Sequence, residues 1–182
     1  MSSDEIIKIP SRQLELLKQL VGRNIEKMVR NSEWTGKEAV ERYNLNPEAV
    51  FSFTTGPVFL YCSGGLVVAV GSNPSINSVT IRPVGRIEHE EEREGIDSLD
   101  NTYSDFEWTK VMHKKIQRVS IMKGVIHNVK YESLPNEVGI CFTMDNGVQF
   151  ILSHGLHDHS DDFSVIFMEQ VMPDLVESVE EI

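Results

Sequence analysis

The sequence predicts an α+β protein that is sheet-rich and built from two similar β-hairpin-containing halves with short helices. Three observations support this class. The second half contains a strong hairpin signature, the two halves share an order of residues, and a run of acidic residues separates them. Length and composition agree, because 182 residues with 40% hydrophobic content are enough for one well-buried core.

The hairpin signature surrounds an Asn-Gly dipeptide. Val138, Ile140 and Phe142 alternate with other residues as in a strand, and a second apolar run, Val148 to Leu152, follows Asn146-Gly147. Asn-Gly between two such runs is the strongest short-range hairpin signal, since both positions tolerate a positive φ. The stretch therefore predicts two antiparallel strands.

An internal duplication is predicted from the order of matching residues. Residues 20–28 parallel residues 111–119 at a separation of roughly 90 positions, and Leu17 then matches Trp108. Further matches keep the same order, as far as Ser78-Val79 with Ser164-Val165. Two such units would each expose an apolar sheet face, so we expect them to pack together with pseudo-twofold symmetry.

The predicted organisation has three parts within one compact domain. Residues 1–87 form the first half-repeat, residues 88–105 an acidic linker or surface loop, and residues 106–182 the second half-repeat. The middle part contains eight acidic residues against one arginine, and a charge block of this kind is usually solvated.

The helices and strands of the first half are predicted from the spacing of its apolar residues and from the glycine and proline residues that interrupt them. Ser11 is a suitable N-cap, and Leu14, Leu17 and Val21 recur at helical spacing before Gly22. In chain order we predict a short edge strand at 6–9, a helix at 12–20, a strand at 24–29, a helix at 37–43, and strands at 50–53, 58–62, 66–70 and 78–81.

The second half is predicted in the same way. It should contain a short helix at 106–112, strands at 114–122 and 125–132, the hairpin, a strand at 163–168 and a terminal helix within 173–182.

Charge limits the classes of partner. The formal net charge is −11, from 28 acidic and 17 basic residues. This balance repels phosphate backbones and anionic lipid, so we expect neither nucleic acid nor a membrane as partner. No apolar run approaches the roughly 20 residues needed to span a bilayer, and the first residues lack a signal-peptide pattern. A cytoplasmic location is the simplest prediction.

The two cysteines, Cys62 and Cys141, each lie within an apolar run, which is typical of small buried side chains rather than a disulfide framework. Neither stands beside a histidine, and the chain has no Gly-x-Ser-x-Gly elbow or phosphate-binding loop. We therefore expect a binding protein without a cofactor rather than an enzyme.

One segment could bind a metal ion. Residues 153–162 contain three histidines and three aspartates, and the candidate ligands are His154, His157, His159 and Asp161. The spacing matches none of the motifs that fix tetrahedral geometry, so a solvated loop is the preferred interpretation. A metal-dependent enzyme or metal-binding protein remains the alternative function.

Basic residues form a small cluster in each half. His113, Lys114, Lys115 and Arg118 in the second half are mirrored by Arg23, Lys27 and Arg30 in the first. We expect solvent-facing stripes that form salt bridges with the acidic segment, with an anion site as the alternative.

These features favour a non-enzymatic protein-binding module whose partner has a basic surface. In its size, its acidity and its Leu20-Val21-Gly22-Arg23-x-Ile25 and Phe53-x-x-Gly56 patterns, the chain resembles the small bacterial immunity proteins that neutralise toxins. The resemblance implies that the acidic segment, or the loop 157–162, plugs a basic active site. The predicted partner-binding residues are Glu90, Glu91, Glu92, Glu94, Asp97 and Asp100. Exposed edge strands could also pair two copies as a homodimer.

Overall fold

Two five-stranded antiparallel sheets form most of the structure, a computed structural model that describes residues 6–85, 94–158 and 160–182. The first sheet contains β1 (Ile25–Ser32), β2 (Val58–Cys62), β3 (Leu66–Asn73), β4 (Ser78–Pro83) and β5 (Glu94–Asp97). The second contains β6 (Ile116–Gly124), β7 (Glu137–Met144), β8 (Gln149–His154), β9 (Phe163–Phe167) and β10 (Val176–Glu181). Mixed α+β, sheet-rich architecture is therefore confirmed.

Three α-helices lie in the first half of the described chain: α1 (Leu14–Leu20), α2 (Gly36–Tyr43) and α3 (Val50–Phe53). A capping box starts α2, because Thr35 Oγ1 accepts from the Glu38 N–H at 3.2 Å and the Glu38 carboxylate accepts from the Thr35 N–H at 2.9 Å. The short 3₁₀ segments are Pro10–Arg12, Pro47–Ala49, Ser63–Gly65, Pro74–Ile76, Phe106–Lys110, Val129–Tyr131, Met168–Gln170 and Pro173–Leu175. No helix within the described ranges is both long and apolar enough to cross a membrane.

The two sheets have the same strand order. The orders are β4-β3-β2-β1-β5 and β10-β6-β7-β8-β9, so each sheet has four strands in chain order and a fifth beside the first. The first strand of each sheet also carries a register shift at its start, between Ile25 and Lys27 in β1 and between Ile116 and Arg118 in β6.

An isolated antiparallel bridge between Asn24 and Lys115 joins the segments that precede β1 and β6. Four backbone hydrogen bonds surround it, from the N–H to the carbonyl: Gly22 to Ile116 (2.8 Å), His113 to Ile25 (2.7 Å), Ile116 to Arg23 (2.8 Å) and Ile25 to Lys114 (3.1 Å). The bonds form two reciprocal pairs. The bond from Gly22 to Ile116 corresponds to the one from His113 to Ile25, and the bond from Ile116 to Arg23 corresponds to the one from Ile25 to Lys114.

The main core lies between the sheets, with β3 and β4 against β7 and β8. Apolar side chains of both sheets meet there, together with Leu17 and Leu20 of α1 and with Trp108. A second, smaller core covers the other face of the second sheet, where Cys141 and Ile151 pack under Leu156 and Leu175. Every residue of β7 is consequently buried.

The hairpin prediction is confirmed, with a difference in its turn. Strands β7 and β8 pair antiparallel up to Thr143 and Gln149, and the loop between Met144 and Val148 has three residues. Only Gly147 has a positive φ, of 83°. This arrangement suits a three-residue loop in which glycine takes the left-handed position.

Four local predictions were wrong. Residues 50–53 form α3 rather than a strand, because Pro47 starts a helical turn that continues into them, and a short apolar run does not fix its own period. Residues 125–132 form no strand, since Asn128 accepts from the Lys130 N–H and closes a 3₁₀ turn. The predicted terminal helix is instead β10, which pairs with the open edge of β6. Residues 6–9 form no strand, although the Lys8 carbonyl accepts from the Ile81 N–H.

The described part of the predicted linker, residues 94–105, contains a strand. Glu94 to Asp97 form β5, which pairs antiparallel with β1. The chain then makes a tight turn in which Ser104 Oγ donates to the Ser98 carbonyl at 2.6 Å. Residues 88–93 of that segment lie outside the described residues.

Candidate functional site

The loop between β8 and β9 is held by its own hydrogen bonds. The Gly155 N–H donates to the Asp162 carbonyl at 3.1 Å, and the Leu156 N–H donates to Ser153 Oγ at 3.0 Å. Gly155 has a φ of 71°, and a Cβ there would lie 2.1 Å from the Ser160 carbonyl oxygen. Only glycine fits this close approach without a shift of the chain. The loop backbone is therefore fixed, and it keeps Leu156 buried while Asp158 and Asp161 remain exposed.

His154, the last residue of β8, lines a cavity of about 310 Å³. Its side chain is 2% exposed, and neither ring nitrogen has a hydrogen-bond partner in the described part of the chain. The nearest carboxylate is that of Asp161, whose Oδ1 lies 4.0 Å from Nε2. Burial lowers the pKa of His154, and the charges of Asp161 and Asp162 oppose that shift. The imidazole is therefore neutral at pH 7, with one donor and one acceptor left unused.

The walls of this His154 cavity combine apolar and polar groups. The apolar part of the wall is formed by Val125, Val138, Leu156 and Leu175. The remaining described lining residues are Asn77, Gly124, His127, Tyr131, Gly155, Ser160 and Asp161. An apolar cavity with a few convergent polar groups is the usual form of a small-molecule site.

His157 lines a different cavity, of about 400 Å³, between the two halves of the chain. Its Nδ1 lies 3.3 Å from Ser164 Oγ, and its Nε2 lies 3.2 Å from Asp158 Oδ2. The ring packs on Phe53 of α3 with the centroids 4.8 Å apart. Burial lowers the pKa of His157, against the opposing charges of Asp158 and Asp162.

The four predicted metal ligands are thus only partly brought together. His154 and Asp161 approach each other, whereas His157 lines the other cavity. His159 lies outside the described residues. Within residues 6–85, 94–158 and 160–182, no group of three or more His, Cys, Asp or Glu side chains is arranged to hold a metal ion.

Arg30 is fully buried between the sheets, whereas the sequence predicted it on a solvent-facing stripe. Its guanidinium donates to the carbonyls of Phe51 (3.3 Å), Ser52 (3.1 Å) and Phe163, and it lies 4.9 Å from the centre of the Phe163 ring. Burial lowers its pKa to about 9, and the charge of Asp162 opposes the shift. Arg30 therefore joins β1, α3 and β9.

Neither cysteine is a reactive thiol. Cys62 and Cys141 are both buried and are not joined in a disulfide, as the sequence predicted. Burial raises the pKa of each thiol to about 11, so almost none of either is thiolate at neutral pH.

The acidic turn, residues 97–107, carries the second candidate site. Phe106 is 79% exposed, the largest exposure among the large apolar side chains of the described chain, and stands between Asp105 and Glu107. Glu107 forms an ion pair with Lys110 one turn later. The turn thus places an aromatic ring in solvent next to carboxylates.

Carboxylates also shape this turn. Asp97 Oδ1 accepts from the Leu99 N–H at 2.9 Å, and Asp100 Oδ1 accepts from the N–H groups of Thr102 and Tyr103 at 2.8 and 2.7 Å. Asp105 Oδ1 accepts from the Glu107 N–H at 2.9 Å. The carboxylates consequently hold the backbone while adding negative charge.

The predicted partner-binding residues are distributed between this turn and the segment before it. Asp97 and Asp100 belong to the acidic turn, and Lys27 Nζ lies 3.7 Å from Asp97 Oδ2, as expected for a salt bridge with the acidic segment. Glu94 begins β5. Glu90, Glu91 and Glu92 lie outside the described residues.

Several site residues were missed from the sequence. Tyr131, His127 and Asn77 reach the His154 cavity from distant parts of the chain, and no local pattern indicates this. Arg30 could have been found, because it lies two residues after Met28 and two before Ser32, and all three are buried on one face of β1.

No protein-family model, no curated protein and no solved structure matches this chain. Its function is therefore inferred from its own residues.

Proposed function

We propose that this protein binds another protein with a basic surface, and that it does so through the acidic turn. The observation that carries the proposal is the exposure of Phe106 between two acidic residues. Aromatic anchors surrounded by polar groups are typical of the residues that contribute most to protein binding. Burying such a side chain would contribute roughly 1.5–3 kcal/mol from the hydrophobic effect.

The fixed backbone of the turn favours binding. Side-chain carboxylates at positions 97, 100 and 105 accept from backbone N–H groups, and Ser104 bridges to Ser98. A loop that is ordered before binding loses less conformational entropy when the complex forms. The acidic turn is therefore suited to act as a preformed contact surface.

The overall charge favours a basic partner. A net charge of −11 speeds the encounter with a positive surface and disfavours acidic partners. Glu90, Glu91, Glu92 and Glu94 remain predicted contacts beside Asp97 and Asp100. Neutralisation of a basic toxin in the cytoplasm, as by the immunity proteins, is the form of this function that we propose.

We also propose that the two sheets arose by duplication of one unit. Support comes from the equal strand orders, the matching register shifts at the start of β1 and β6, and the reciprocal hydrogen bonds around Asn24 and Lys115. Such reciprocity is what a twofold interface between identical units produces.

The test uses the protein as bait in an extract of its native host, followed by purification of the captured protein and calorimetry. We expect a partner with a net positive charge whose affinity falls at least tenfold with Phe106→Ala, which corresponds to about 1.4 kcal/mol. Val129→Ala is the matched control, because Val129 is 77% exposed but lies outside the acidic turn. Binding should also weaken as salt is added.

Two results would contradict the proposal. One is a partner with no basic surface. The other is an affinity that Phe106→Ala and Val129→Ala change equally.

A further inference from the structure

The strongest feature that protein binding leaves unexplained is the buried His154 ring. A buried polar group without a partner costs about 1–3 kcal/mol, and His154 has two such nitrogens. An apolar residue at the end of β8 would avoid that cost. The ring also lines a cavity, which distinguishes it from a histidine enclosed in the core.

We propose that the His154 cavity binds a small organic cation that carries N–H donors, an alkylammonium or a guanidinium. This site lies outside the acidic turn and does not depend on the protein partner. Its volume of about 310 Å³ is at the lower end of the range of roughly 300–1,000 Å³ for small-molecule sites.

Charge selects a cation over an anion. Neither lysine nor arginine is among the described residues that line the cavity, whereas Asp161 is. The Lys130 ammonium lies over the Tyr131 ring at 4.6 Å from its centre, and the pKa of Lys130 is raised by Tyr131 and, to a smaller extent, by the charge of Asp161. An anion would have to approach the Asp161 carboxylate, while a cation would be attracted to it.

Hydrogen bonding selects N–H donors. A neutral imidazole always keeps one nitrogen as an acceptor, and the Asp161 carboxylate accepts only. Two N–H groups of one ammonium or guanidinium could therefore donate one to each, since Asp161 Oδ1 and His154 Nε2 are 4.0 Å apart. The apolar wall of Val125, Val138, Leu156 and Leu175 would contact the carbon atoms of the ligand.

Binding requires one small movement. The His154 nitrogens are closed off from solvent, so a ligand reaches them only when a neighbouring side chain shifts. Asp161 is next to Nε2 and its side chain is 69% exposed, which leaves it room to change rotamer. The rest of the loop is held by the Gly155 and Leu156 hydrogen bonds.

The experiment titrates the whole protein with methylguanidinium, propylammonium, propionate and Zn²⁺, using calorimetry and the NMR signals of the His154 ring. We expect one of the two organic cations to bind saturably and to shift those signals, and propionate not to bind. Asp161→Asn should weaken cation binding at least tenfold, and so should His154→Gln.

Asp145→Asn is the matched control. Asp145 is exposed at the turn between β7 and β8, at the opposite end of β8 from His154. The Asp145→Asn variant should bind the cation with the same affinity as the unchanged protein. Because Asp161 is exposed, its variant should keep the fold, which circular dichroism would verify.

The proposal is overturned if neither cation binds, if propionate binds more tightly, or if Asp161→Asn and Asp145→Asn bind the cation equally. Binding of Zn²⁺ alone at His154 would also overturn it, and would favour the metal-binding alternative. None of these outcomes concerns the acidic turn, so the proposed cation site can be disproved without affecting the proposal of partner binding.

Discussion

Gly22 and His113 flank the bridge between Asn24 and Lys115, and both have a left-handed backbone, with φ of 85° and 61°. Each donates its N–H across to the other half, Gly22 to Ile116 and His113 to Ile25. The same conformation is thus adopted by glycine in one half and by a residue with a side chain in the other. Two of the four N–H groups that donate across the junction therefore come from residues with a positive φ.

Gly22→Ala should lower the free energy of unfolding by about 1–2 kcal/mol. No atom lies within 4 Å of an added Cβ, so the loss would come from the backbone conformation alone. Gly85→Ala is the control, because it has equal space and no positive φ, and it should change stability by less than about 0.5 kcal/mol. Urea unfolding measures both, and equal losses would contradict the backbone argument.

Gly155→Ala should lower the free energy of unfolding by more, roughly 2–4 kcal/mol. Here the positive φ of 71° is combined with a Cβ that would lie 2.1 Å from the Ser160 carbonyl oxygen. Gly147→Ala, with a φ of 83° and open space, should lose only about 1–2 kcal/mol. The prediction fails if chemical denaturation gives the two variants the same stability.

Arg30→Ala should destabilise the fold by about 3–5 kcal/mol. The change removes the donor to three carbonyls from α3 and β9 and leaves a void between the sheets. Arg12→Ala, at an exposed position, is the control and should change the free energy of unfolding by no more than about 0.5 kcal/mol. Thermal and urea unfolding should agree, and a loss below about 1 kcal/mol for Arg30→Ala would show that the guanidinium is not what joins the sheets.

Acid should weaken the fold through His154 and His157. Burial lowers the pKa of both rings from the ordinary value of 6.5, so below that pH the unfolded chain binds protons that the folded chain does not. The free energy of unfolding should therefore fall as the pH drops from about 7 through 6.5 towards the lowered pKa values.

Two variants distinguish the protonation of these two rings from the titration of other groups. His154→Gln should flatten the pH dependence between about 7 and 5, because it removes one of the two rings. His157→Gln should flatten the pH dependence in the same way, because it removes the other buried ring. A slope that His154→Gln does not alter would contradict the assignment.

Where local chemistry decides the structure, the sequence predicted it. The Asn146-Gly147 turn and the alternation of Val138, Ile140 and Phe142 indicated β7 and β8 because turn residues and period act within a few positions. The helix at 37–43 was likewise predicted, and its capping box is a local feature.

Tertiary pairing explains what the sequence did not predict. β10 is polar and exposed, and it is a strand because β6 offers it an open edge. The His154 cavity joins Asn77, Tyr131 and Asp161, which the chain separates widely. Only the histidine and aspartate cluster at 154–162 was visible locally, and its spacing does not reveal that His154 and His157 line different cavities.

The most direct test of partner binding is a photocrosslinking measurement in the native host. Phe106 is replaced by p-benzoylphenylalanine, and the same substitution at Val129 serves as the control for an equally exposed position outside the acidic turn. We expect irradiation to link position 106 to one basic protein and position 129 to none. Crosslinking from position 129 alone, or to the same extent from both positions, would contradict the proposed role of the acidic turn.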